Sequence, residues 1–203
     1  MKADRISASP QIQTGIVVDE FDVNLSREID RAASEAGMWR IAGPTSSQSL
    51  GRDVSSITAD HMKHSGVFRK VTADRSADAD EYPLILRGTI SAFQAGGVVQ
   101  LDAEKKFAAG TIGGTPGSAI AGIATRNVKT PVRSIVELRE VSLTDRRTGK
   151  TLWHAPSISM STDLDGAHYL QADRDILQRR LAWELKRVNT ELIRQLADSL
   201  GDE

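Results

Sequence analysis

Hydrophobic and polar positions along this chain repeat in two periods, and the changes between them divide it into elements. A period near 3.6 marks a helix face and a period of two marks a half-buried strand. The clearest run is C-terminal: Leu177, Leu181, Leu185, Val188, Leu192, Leu196 and Leu200 recur at helical spacing behind Asp173, a suitable cap. Leu50, Val54, Ile57, His61 and His64 step by four, three, four and three, predicting a helix over Thr45–Ser65 with Gly66 as its left-handed cap. Ile12–Val18 and the FRKVTA segment read as short strands. PLILRGTISAFQ (83–94) reads as a well-buried strand. The Gly96-Gly97 pair then predicts a turn, with VVQLDAEKKF as the returning strand of a hairpin.

VRSIVELREVSL and LWHAPSISM form a second predicted hairpin, Val132–Met160, around the loop from Asp145 to Gly149. NLSREIDRAASEAGMW (24–39) suits a short helix or structured loop ended by Gly37 and Gly43-Pro44. The elements together predict an α/β (α+β) sandwich. Its sheet is mixed and largely antiparallel, of about five or six strands, with helices on one face and a long helix at the C-terminus. Residues 1–11 form a polar tail expected to be mobile, and 12–203 a single α/β domain.

Charge narrows the function. The 26 basic residues nearly balance 27 acidic ones, so the basic surplus expected of a nucleic-acid binder is missing. No nucleic acid is expected as a partner. There are no cysteines, which removes disulfides, thiolate metal sites and cysteine nucleophiles. No run reaches the ~18 apolar residues of a membrane helix. The first residues lack the apolar core of a secretory signal.

The glycine-rich stretch at 108–131 invites a phosphate reading, but its spacing refuses the usual motifs. Gly117 is followed directly by Ser118 without the P-loop lysine, and Gly110, Gly113, Gly114 and Gly117 miss the dinucleotide-binding offsets. The stretch reads instead as a connector between hairpins, packed closely or ordered by a partner. His61 and His64 stand three apart without a third ligand at metal spacing, and packing at the helix end explains them. His154 and His168 sit beside no nucleophile motif. Asp74, Asp78, Asp80 and Glu81 cluster in one polar loop, which reads as solvated. No catalytic residue, cofactor or metal is assigned.

The tryptophans are the remaining candidates. Trp183 lies about 120° round the C-terminal helix from the leucine stripe, on a flank shared with Ile176. Either it widens the buried face or covers a sheet edge, or it anchors a partner, as interface aromatics often do. Trp39 is a similar loop-borne candidate, whereas Trp153 on a strand is expected in the core. The candidate partner-binding residues are therefore Trp183, Ile176, Trp39, Gly113, Gly114 and Gly117.

The element order carries a resemblance. SGVFRKV (65–71), LRGTISAF (86–93) and LTDRRTGKTLW (143–153), in this order before the C-terminal helix, resemble bacterial periplasmic lipoproteins of the TolB N-terminal-like group. That group takes in penicillin-binding-protein activators, curli-secretion-type lipoproteins and auxiliary lipoproteins of ABC-type transporters. The resemblance implies a non-enzymatic envelope domain that binds other envelope proteins and is held at the outer membrane by an acylated N-terminal cysteine. The chain is then expected to be a mature periplasmic form whose leader and lipid anchor are not in this sequence. The alternative is a cytoplasmic small-ligand or anion-binding protein, or an enzyme, using the glycine-rich stretch with Arg126, Lys129 and Arg133.

Overall fold

The computed structural model describes residues 12–25, 38–42, 47–98, 132–164 and 174–201, with side chains over 12–25, 49–95, 134–162 and 177–201. The strands are β1 (Ile16–Val18), β2 (Asp22–Val23), β3 (Met38–Ala42), β4 (Val71–Thr72), β5 (Leu84–Val98), β6 (Val132–Asp145) and β7 (Thr151–Leu164). The helices are α1 (Ser47–Ser65) and α2 (Arg174–Gly201). The 1–11 tail, the Asp173 cap and the 108–131 connector lie outside the described residues.

β5 is the axis of the sheet. Along one side it pairs in turn with β1 and β2, both parallel, and with β3, antiparallel. Its other side pairs antiparallel with β6, which pairs antiparallel with β7. The order across the sheet is β4-β1-β5-β6-β7. The mixed α/β architecture is the expected one, with the long C-terminal helix in place.

α2 supplies the largest block of helix-side core. Leu177, Leu181, Leu185, Val188, Leu192 and Leu196 are all buried, and they join Ile90, Val136, Leu138 and Ile158 in one cluster. Each such side chain contributes roughly 1.5–3 kcal/mol by leaving water, which a helix marginal on its own requires. The β6–β7 loop also follows its sequence. Asp145 Oδ1 accepts hydrogen bonds from Arg147 N (2.9 Å) and Thr148 N (2.7 Å), and Gly149 takes φ 71°.

Three expectations are corrected. Gly96 and Gly97 do not turn: both lie within β5, paired to Arg40 and Trp39 on one side and to Arg133 and Val132 on the other. Two flanking strands supply their ladder partners, so the glycines' freedom to turn is not used. The partner of β5 is therefore β6, not the segment starting at Val98, and residues 99–131 join two adjacent antiparallel strands. Met38 and Trp39 open strand β3 and do not close a helix or loop.

The third correction concerns α1. Its buried side is Leu50, Gly51, Val54, Ser55, Thr58, Ala59, Met62 and Ser65, whereas Ile57 is 41% exposed and His64 lies outside. The face is rotated because its small and polar members have partners. Ser55 Oγ accepts from Phe21 N (2.9 Å) and donates to Asp19 O (2.7 Å), with Gly51 O at 2.9 Å. A Cβ on Gly51 would run into the Phe21 carbonyl oxygen, so the helix sits as close to the β1–β2 turn as a glycine allows.

The two faces of the helices differ in what a truncation removes. Leu192→Ala is expected to lower unfolding free energy by about 2–5 kcal/mol. Ile57→Ala should cost less than about 1 kcal/mol. Urea denaturation of both variants checks this, and equal losses would contradict the rotated face.

Candidate functional site

The site is assembled where α2 overlies β6 and β7. Glu184 faces the sheet and is fully buried, which for a carboxylate demands partners. Its Oε1 accepts from Ser134 Oγ on β6 (3.0 Å), and its Oε2 accepts from Arg187 Nη1 (3.0 Å). The same Nη1 lies 3.2 Å from Thr162 Oγ1 on β7, tying helix to strand. Arg187 is thereby held in place, and its guanidinium carbon stands 4.8 Å from the centroid of the Trp183 ring. Arg180 approaches the same ring at 5.9 Å. A ring contacted by two guanidinium groups is restrained without being fully covered. Trp183 remains 38% exposed at the flank of α2.

β7 lies below this flank. It is the last strand of the sheet among the described residues, so its outer side has no described strand partner. Trp153 is half-buried against the core and Leu152 is 41% exposed. Trp183 is therefore a restrained, part-exposed aromatic above a long sheet edge, and Trp153 packs largely as expected. Ile176 belongs to α2 and Trp39 to β3, but their side chains lie outside the described residues, as do Gly113, Gly114 and Gly117. Glu184, Ser134 and Thr162 were not singled out from sequence. A glutamate on the apolar stripe side of an amphipathic helix was the available signal.

The opposite face of the β5–β6–β7 sheet carries polar clusters. The extra residue at a register shift in β5, Ser91, donates to Glu137 Oε2 (2.6 Å). Ser157 Oγ donates to Glu137 Oε1 (2.9 Å), and Arg139 Nε lies 3.2 Å from that oxygen. Burial alone would raise the Glu137 pKa. The bonds from Ser91, Arg139 and Ser157, with the Arg139 charge, outweigh it and hold the carboxyl below its ordinary value. A carboxylate so saturated is poorly matched to proton transfer near neutral pH. Asp19, after β1, forms ion pairs with Arg87 (3.0 Å) and Arg75 (3.5 Å).

The remaining candidates are separated in space. His64 Nδ1 donates to the Asp60 carbonyl (2.6 Å) and is exposed, while His61 turns to α2. His154 pairs with Glu140 at 2.9 Å, and Glu140 has φ 48° beside a register shift in β6. Asp74 and Asp78 bind Ser76 N and Asp80 N (2.9 Å each), shaping their own loop. Among the described residues no three His, Cys, Asp or Glu side chains are grouped to hold a metal. Arg126, Lys129, His168 and the side chain of Arg133 lie outside them. No described helix is long and apolar enough to cross a membrane.

No protein-family model and no curated protein matches this sequence. Solved structures do. A Xanthomonas campestris protein of the family described as DUF330 aligns over 96% of this chain and 90% of its own, at 12% identity and TM-score 0.51. A PelC dodecamer from Paraburkholderia phytofirmans aligns over 88% and 91%, at 10% identity and TM-score 0.39. A lipoprotein of Neisseria meningitidis aligns over 92% and 99%, at 13% identity and TM-score 0.24. The fold is shared with the Xanthomonas protein. At 12% identity that likeness speaks for the fold alone.

The α1–α2 contact has a titratable member. Asn189 Nδ2 donates to His61 Nδ1 (3.0 Å), while its Oδ1 accepts from Thr58 Oγ1 (3.0 Å). His61 Nδ1 therefore carries no proton. Burial and the Lys186 charge, with His64, lower the His61 pKa from 6.5 against the opposing pull of Asp60. Below about 6.5 the unfolded chain binds this proton more readily than the folded one, so this part of the stability is complete above that pH and lost as pH falls. The urea midpoint should drop more steeply between pH 7.5 and 5.5 in the native chain than in His61→Gln. Parallel pH profiles would remove the role of His61.

Proposed function

We propose that this chain is a non-enzymatic accessory domain of the bacterial cell envelope, of the periplasmic lipoprotein type, that acts through protein–protein interaction at the β7–α2 edge. The observation carrying this reading is Trp183, part-exposed and stacked by Arg187, which the buried Glu184 holds in place. Tryptophan and arginine dominate interface hot spots, and a pre-positioned pair loses little side-chain freedom on binding. The sequence resemblance to envelope lipoproteins supports the setting, and the likeness to the Xanthomonas fold is compatible with it. Periplasmic location, outer-membrane attachment by a lipid and a role in assembly, secretion or transport belong to the same proposal.

A photo-crosslinking amino acid placed at position 183, in the cell that encodes the chain, is expected to give a discrete covalent adduct in the envelope fraction. The same group at Asp53, exposed on α1, should give none. Identical adducts from both positions, or none from 183, would reject the edge as a binding site.

A further inference from the structure

We propose that the occupant of the β7–α2 edge is a second copy of this chain, paired antiparallel through β7 about a two-fold axis. The inference rests on reading that edge as an interaction surface, and it names the partner.

The edge is sparsely protected, being long and uncharged with a single proline. Natural sheets guard an outer strand by keeping it short or by placing charges or proline on it. β4, the opposite edge, is two residues long. β7 is fourteen residues long and, from Leu152 to Thr162, contains no Asp, Glu, Lys or Arg. Pro156 is its single interruption of that kind. In a protein with 26% charged residues, such a run is suited to being covered.

The uncharged run also selects its cover. When a strand pairs antiparallel with its own copy, each side chain stands near one from the same short run, so like charges would repel. An uncharged run bearing Ser157, Ser159 and Ser161 meets that condition. A strongly acidic or basic strand would find no opposite charge along β7 between Leu152 and Thr162. Arg187 is already committed to Glu184 and Thr162.

Exposed apolar surface lies near both ends of β7. The exposed large hydrophobic side chains among the described residues are Ile57, Leu152 and Trp183. Leu152 lies near the start of β7, whereas Trp183 is linked through Arg187 to Thr162 near its end. Antiparallel pairing centred on the uncharged run sets the Leu152–Trp153 end of one copy beside the Thr162–Trp183 end of the other. Both ends of the seam then gain aromatic cover.

Light scattering on the full chain in solution tests this. The expected mass is twice the 22.0 kDa of the chain. Ser159→Lys and Ser161→Lys place extra positive charge along the seam, at exposed positions. Each should weaken dimerisation at least about tenfold while leaving the circular dichroism spectrum unchanged. Should either variant misfold, hydrogen exchange on the native chain decides, with β7 amides more protected at high than at low protein concentration. A monomer at high concentration overturns the inference, as does a dimer indifferent to both lysines or one whose β7 amides exchange alike at both concentrations. A monomer that still crosslinks from position 183 to a different protein would overturn the self-pairing and leave the binding edge standing. A monomer without an adduct would remove both.

Discussion

The contact on which the described structure most depends is the docking of the α2 leucine stripe onto β5, β6 and β7. Those three strands are fifteen, fourteen and fourteen residues long, and a sheet so extended needs one face removed from water. α2 does this with one unbroken stripe from Leu177 to Leu196. The helix in turn depends on the sheet, since its apolar stripe would be exposed without it. Once that contact forms, the polarity of the rest follows. Apart from Ser134 and Thr162, the described strand residues that pack under α2 are mostly apolar, and the reverse face carries Arg87, Arg139 and the serines of β7.

Burial alone leaves the angle and depth of a helix loosely determined, and here polar contacts refine both. Ser55 ties α1 to the β1–β2 turn, the Thr58–Asn189–His61 chain ties α1 to α2, and Glu184 ties α2 to β6 and, through Arg187, to β7. Among the described residues every buried side-chain nitrogen and oxygen has a hydrogen-bond partner. An unpaired one would cost about 1–3 kcal/mol, so these contacts penalise any other seating of the helices. They add orientation to a core whose energy is mostly hydrophobic.

This division explains how much was legible in the sequence. The α2 stripe, the Asp145–Gly149 loop and the Gly66 cap could be read because their causes are local: period, turn chemistry and positive φ. The α1 face could not, because hydropathy counts Ser55 and Thr58 as outward-facing. Their burial depends on Asp19, Phe21 and Asn189, which are distant in sequence. Gly96-Gly97 misled for the same reason, since β3 and β6 hold those glycines extended. Of the candidate site, Trp183 was visible from its position on the wheel. The Glu184–Ser134–Arg187–Thr162 set that holds it exists only after β6, β7 and α2 meet.

The edge itself is best understood from what surrounds it. β5 and β6 are paired on both sides, and β4 is too short to template another strand. β7 alone combines length, the absence of charge from Leu152 to Thr162 and an outer side without a described strand. Above it, a buried carboxylate orients an arginine, and the arginine stacks a tryptophan that is not fully covered. Burying Glu184 carries a desolvation cost that an apolar residue would avoid, so its contribution is better seen as positioning than as stability. What it positions is Arg187, and Arg187 in turn restrains Trp183 beside the outermost described strand. Core packing did not require that arrangement, whereas a surface that presents one aromatic at a sheet edge would.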